Sequence, residues 1–164
     1  MKKVLLVLIS LVLLSSCGKD DDTENLTGIL SLSVYYHFED APSEQYLAKD
    51  SYCWFGLFDC EQSAISADQQ DVFNIGDNKV VKLKDGKTVQ PRYFTTSSVG
   101  TCTLDDVAFG RYTVVCVYRN GTAPTSSHYY YYATKTLNID NPASNTCRFE
   151  FEVGMDKYGK LINQ

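Results

Sequence analysis

Of 164 residues only two are histidine and one is tryptophan, and cations are outnumbered, 15 Lys+Arg against 20 Asp+Glu. The net charge of −5 at pH 7 speaks against sequence-independent nucleic-acid binding, which rests on lysine and arginine neutralising phosphates. Two histidines without His-Glu-x-x-His spacing leave no zinc signature, and no Cys-x-x-Cys pair offers a zinc knuckle or a thioredoxin-like redox site. Gly-x-Ser-x-Gly, a Walker loop and Gly-x-Gly-x-x-Gly are all missing. Asp20, Asp22 and Glu24 lack the glycine and distal glutamate of a calcium loop. The expectation is a protein that is not an enzyme and uses no cofactor or metal. Internal repeats and Pro- or Gly-rich linkers are also missing, and a charged fraction of 21% is too low for a disordered chain. One folded domain follows.

The one long apolar run stands at the N-terminus. Lys2 and Lys3 precede Val4 to Leu14, broken only by Ser10. Eleven helical residues reach about 16 Å, short of a roughly 30 Å hydrocarbon core, so the run reads as the apolar part of a signal peptide. Leu14-Ser15-Ser16-Cys17 resembles a bacterial lipobox, which implies cleavage after residue 16 and lipidation of Cys17. Several acyl chains would anchor the chain firmly, at about 0.8 kcal/mol per buried CH₂. Without residues 1–16 there remain 148 residues carrying 13 basic and 20 acidic side chains. Lys19, Asp20, Asp21 and Asp22 then open an acidic tether over residues 17–27. That cluster is similar to the surface-export signal of Bacteroidetes lipoproteins, which implies an outer-membrane protein facing the cell exterior.

Lipidation of Cys17 leaves Cys53, Cys60, Cys102, Cys116 and Cys147, an odd number, so at least one thiol stays out of intrachain disulfides. Cys102, Cys116 and Cys147 fall among the apolar residues of alternating strands, where packing is the expected role. A single bridge, Cys53–Cys60, is the pairing considered.

Residues 28–164 read as β throughout. Leu30, Leu32, Val34, Tyr36 and Phe38 alternate with polar positions and Tyr35, and Cys147, Phe149, Phe151 and Val153 do the same, the period of half-buried strands. Tyr112 to Tyr118 is apolar on both parities, as in a central strand covered on both sides. Further strands are expected over Tyr52–Asp59, Lys79–Lys84, Arg92–Thr96, Thr101–Leu104 and Tyr129–Ile139, with Asp85-Gly86 and Asn120-Gly121 as turns. Ser43–Lys49 and Gln62–Gln70 are the segments that could hold a helical turn or two. The fold class expected is an all-β, antiparallel sandwich of seven or eight strands.

The run from Cys102 to Tyr118, with Gly110-Arg-Tyr-Thr-Val-Val-Cys-Val at its centre, resembles the strand–linker–strand motif of transthyretin-like (prealbumin-like) sandwiches. These include carboxypeptidase regulatory-like domains and the N-terminal domains of Bacteroidetes fimbrillins and their lipoprotein anchors. Trp54-Phe-Gly-Leu-Phe-Asp59 is similar to the strand that precedes the motif in those anchors. The resemblance implies an adhesive or structural role at the cell surface, as a fimbria-associated or anchoring component. Its partner would be another surface protein, engaged by strand addition through a tail such as Gly154–Gln164.

The second expectation comes from the tyrosines. Twelve occur, and Tyr129, Tyr130, Tyr131 and Tyr132 follow His128 directly. On a strand two of the four face each way, so a pair of flat rings could stand outward as a platform for sugar rings, extended by Tyr35 and His37 from another strand. The partner would then be a polysaccharide. Aromatic residues also suit strands for packing alone.

Overall fold

The computed structural model describes residues 26–66, 80–119 and 130–154. Two sheets face each other. In the first, β1 (Thr27–Phe38) is central. Along one side it pairs with β10 (Asn145–Val153), from Leu30↔Asn145 to Phe38↔Val153. Its other side is shared by β7 (Thr101–Ala108) on the N-terminal half and β2 (Ala41–Leu47) on the C-terminal half. The partners change over at Val34, whose N–H donates to Gly100 O at 2.8 Å and whose carbonyl accepts from Ala48 N at 3.0 Å. Gly100 has φ 75°, and a Cβ there would lie 2.9 Å from the Ala48 backbone, so the junction admits only glycine.

The second sheet is ordered β6 (Tyr93–Ser97), β3 (Tyr52–Phe58), β8 (Gly110–Arg119), β9 (Tyr130–Ile139), antiparallel throughout. A small hairpin of β4 (Val81–Lys82) and β5 (Thr88–Val89) turns through Asp85-Gly86, with Gly86 at φ 86°. The all-β sandwich is as the alternation predicted. Among the described pairs β1–β10 alone runs parallel: alternation shows which face of a strand is buried and is silent on its direction.

Between the sheets lies the main core. Leu30, Leu32 and Val34 of β1 and Phe149, Phe151 and Val153 of β10 meet Cys53, Phe55 and Leu57 of β3 and Val114, Cys116 and Tyr118 of β8. Tyr118 stacks on Tyr36, Tyr131 and Phe151 at 5.6–6.0 Å. At the opposite end Tyr112 donates its hydroxyl to Ala108 O at 2.9 Å, tying the corner where β7 passes into β8. The other parity of β8 is equally apolar, and Val115 and Val117 join Phe58, Ile65 and Val81 in a second, smaller core on the outer face of that sheet. A single 3₁₀ turn (Gln62–Ala64) and the β4–β5 hairpin cover it.

Two expectations are corrected. Ser43–Lys49 is not helical: most of it is β2, because Tyr46 and Leu47 find partners in Tyr36 and Tyr35. Cys53 and Cys60 are both free thiols. Cys53 points into the main core while Cys60 packs against the second, so the sheet itself separates them.

Candidate functional site

Among the described residues, two neighbouring grooves lie at the margin of the second core. The chain leaves β3 at Asp59 and crosses the start of β8 and the outer face of β9. Thr113 fixes this crossing by donating its hydroxyl to Cys60 O at 2.5 Å. Gln62 then spans two rungs of β9. Its amide nitrogen donates to Thr134 Oγ1 at 2.8 Å and Thr134 O at 3.1 Å, and its carbonyl accepts from Thr136 Oγ1 at 3.1 Å.

Beside this clamp an open groove of about 510 Å³ is lined by Tyr132, Thr134, Thr136, Gln62, Ser63, Ser66, Ile65, Glu61 and Arg111. It shares Glu61, Arg111 and Thr136 with a neighbouring hollow of about 260 Å³ against Asp59, Cys60 and Tyr112. Charges at this end are paired: Arg111 with Glu61 at 3.4 Å and Arg92 with Asp59 at 3.7 Å. Such exposed pairs contribute little to stability, but they leave the groove without a strong field of either sign. Burial pushes the Tyr132 phenol up to about 12, so its hydroxyl stays protonated at physiological pH. Burial, followed by the nearby Asp59 and Glu61 charges, also raises the Cys60 thiol, which disfavours the reactive thiolate.

The groups left to a ligand follow from their valences. Thr134 keeps its O–H to donate, and Thr136 and Gln62 Oε1 keep acceptor capacity. The ring of Tyr132 stands next to them. Donors, acceptors and an aromatic surface held in place before binding suit a polyhydroxylated ring.

A second hollow, of about 420 Å³, opens at the other end of β8. Tyr52 and Val99 form its apolar part, 42% and 56% exposed, and Asp50, Ser51, Ser98 and Arg119 rim it. The Tyr52 ring sits edge-to-face on Trp54 at 5.1 Å.

The sequence-predicted tyrosines divide. Tyr131 turns inward onto Tyr118 and Phe151, whereas Tyr132 lies on the outer face, half-buried against the second core. Tyr130 pairs in register with Arg119. His128, Tyr129 and the 120–121 turn fall outside the described residues, as do Cys17, Lys19, Asp20, Asp21, Asp22 and, after Gly154, the C-terminal tail. Tyr35 is not brought to the same place. It lies on the outer face of the first sheet, with the Arg148 guanidinium 3.8 Å above its ring, and His37 beside it approaches Glu152 at 3.5 Å. Gln62 and Tyr52 did not stand out in the sequence as binding residues, and Arg111 and Trp54 featured only within the motifs that carry the resemblance. Arg111 could have been found, since it shares the parity of Thr113 and Val115 on the doubly apolar strand. The Gln62 contacts span 72 and 74 residues and carry no local signal.

No protein-family model matches the chain, and no curated protein matches it. Among solved structures, the crystal structure of a Pseudomonas aeruginosa protein named "putative carbohydrate binding protein" is similar over 76% of this chain and 88% of that chain, at 10% identity and a TM-score of 0.39. That likeness is too distant to transfer a fold or a ligand.

Proposed function

We propose that this protein is a non-catalytic lipoprotein of the outer membrane, anchored through Cys17 and facing the cell exterior, that binds a neutral polysaccharide in the groove beside Tyr132. One observation carries the reading: the Gln62 amide and the Thr134 and Thr136 hydroxyls form a fixed polar ladder beside an aromatic ring. Preorganised groups of this kind lose little entropy when a ligand arrives. The pairing of both groove carboxylates with arginines supports a neutral ligand and weighs against glycosidase chemistry, in which two carboxylates must act freely on the substrate. The anchor rests on Lys2, Lys3, the Val4–Leu14 run and Cys17, and the outward orientation on Lys19 to Asp22.

The fimbria-like reading ranks second. Strand addition needs an open edge, and two of the edges here, β9 and β2, are blunted. Lys135, on the inward parity of β9, donates its ammonium to Arg148 O on β10 at 2.5 Å and lies over the Phe149 ring, while β2 carries Pro42 and Glu44. Inward lysines and edge prolines are devices that discourage strand pairing. Adhesion by capture of a glycan is compatible with such edges.

The test is native affinity electrophoresis of the detergent-solubilised full chain in gels cast with starch, β-glucan, mannan or xylan, and with pectin or alginate as acidic controls. At least one neutral gel is expected to retard the protein. Gln62→Ala, and Thr134→Val combined with Thr136→Val, should weaken that retardation at least about tenfold with unchanged circular dichroism. Free migration in every neutral gel would refute the reading.

A further inference from the structure

We infer that the hollow formed by Tyr52, Arg119 and Asp50 is a second sugar subsite, so that the ligand is a run of several linked sugar rings lying across this end of the second sheet rather than a single sugar. The inference rests on the glycan reading of the first groove and adds to it a place and a length.

Register puts the two sites on one surface. Tyr52 is opposite Arg119, and Trp54 is opposite Val117, which is in turn opposite Tyr132. Trp54 and Tyr132 both pack against the second core, and Tyr52 contacts Trp54, so all three belong to the outer face. From Tyr132 to Tyr52 is two strands across and two residues along. At about 4.8 Å per strand and 3.4 Å per residue, that is roughly 12 Å between their Cα atoms, a distance that a short run of linked sugar rings covers.

The chemistry of the hollow repeats that of the groove. An aromatic ring is held in one orientation by an edge-to-face neighbour and is 42% exposed. Ser98, the Asp50 carboxylate and the Arg119 guanidinium line the hollow with it, while Ser51, which also lines it, is buried and donates its hydroxyl to Lys49 O at 3.2 Å. A sugar ring offers the matching pair of surfaces, an apolar C–H face for the phenol and peripheral hydroxyls for the rim. The opposite charges of Asp50 and Arg119 favour a neutral ring here as well. Asp50 stands at φ 57°, in the left-handed region that asparagine and aspartate tolerate best among residues with a side chain.

The experiment is calorimetric titration of the solubilised full chain with oligosaccharides of increasing length, cut from whichever neutral polysaccharide retards it. Wild-type affinity is expected to rise by about tenfold or more once the chain is long enough to reach from Tyr132 to Tyr52, and then to level off. Tyr52→Ala and Arg119→Gln should remove that rise and leave the affinity for the shortest bound oligosaccharide unchanged, whereas the Thr134→Val, Thr136→Val pair should weaken binding at every length. Long chains held equally well by wild type, Tyr52→Ala and Arg119→Gln would overturn the second subsite and leave the first groove standing. A change in sedimentation on Tyr52→Ala, with length dependence intact, would overturn it in favour of a contact between copies. Failure of wild type to bind any length would instead remove the glycan reading, and the subsite with it.

Discussion

The two cores of this molecule are unequal, and the difference explains where its grooves lie. The main core receives side chains from both sheets and closes completely, with stacked aromatic rings at one end and the Tyr112 corner at the other. The second core has five buried members, Phe58, Ile65, Val81, Val115 and Val117, roofed by a 3₁₀ turn and a hairpin of two-residue strands. β8 creates both, because Val114, Cys116 and Tyr118 face one way and Val115 and Val117 the other. Apolar surface on the outer parity requires a cover, and a cover built of short pieces leaves gaps at its margins. The groove there is lined by Gln62 of the cover and by Thr134 and Thr136 of the strand beneath it. The outer face of the first sheet, where Thr146, Arg148, Glu150 and Glu152 are all exposed, needs no cover, and among the described residues it has none.

The largest expected effect falls on the main core and is driven by pH. Cys53, Cys116 and Cys147 are fully or almost fully buried there. Burial pushes the Cys53 thiol up to about 12 and that of Cys147 to about 11, and raises that of Cys116 as well. An unfolded chain loses these protons near pH 8.5, whereas the folded protein keeps them. The stabilisation is therefore complete below pH 8.5 and is lost as pH rises toward 11. Each thiol contributes a slope of up to about 1.4 kcal/mol per pH unit, so three together give on the order of 4 kcal/mol per unit. Urea unfolding under reducing conditions should show the midpoint collapsing between about pH 9 and 11, and Cys116→Ala should flatten that decline. A midpoint that holds constant across the window would show that the thiols are not buried as described.

A smaller and more local effect is expected from the second core. Ile65 belongs to the cover and touches nothing in the main core. Ile65→Ala should cost about 2 kcal/mol, the low end for such a truncation, and the loss should loosen the cover selectively. Hydrogen exchange at Val81, Lys82, Thr88 and Val89 should accelerate well over tenfold, by this estimate, with amides of β1 and β8 much less affected, and polysaccharide retardation should weaken. Equal acceleration in β1 and β8 would mean that the two cores unfold as one.

What was legible in the sequence follows the same division. β1 and β10 are plain in their alternation, and the doubly apolar β8 announces a strand covered on both sides. Parity also splits the tyrosine run, since consecutive strand residues cannot share a face; that is how Tyr131 and Tyr132 come to serve different cores. β2 was not legible, because Pro42, Ser43 and Glu44 have poor strand propensity and lie between Ala41 and Tyr46, two of the residues that pair with β1. Parity speaks equally against a Cys53–Cys60 bridge, for seven residues along a strand end on opposite faces. The groove was hidden for another reason. Gln62 meets Thr134 and Thr136 only once the chain has crossed the sheet, and no local pattern records such a crossing.

The smallest expected effect returns to the main core and tests how completely it closes. Tyr118 is fully buried, and its hydroxyl has no hydrogen-bond partner among the described residues. Ser51 is the neighbouring polar group; its own hydroxyl donates to Lys49 O at 3.2 Å, which leaves its lone pairs able to accept from the phenol. A buried hydroxyl without a partner costs about 1–3 kcal/mol of desolvation, part of which the stacked ring recovers by packing on Tyr36, Tyr131 and Phe151. Tyr118→Phe keeps the ring and removes the orphan oxygen, so the variant should be as stable as wild type or more stable by up to about 1 kcal/mol, read from urea midpoints at pH 7. Because the ring lies on the inner parity, saccharide binding should not change. A loss of 1 kcal/mol or more would mean that the hydroxyl is satisfied after all, by Ser51 or by a buried water, and that the main core is less dry than its packing implies.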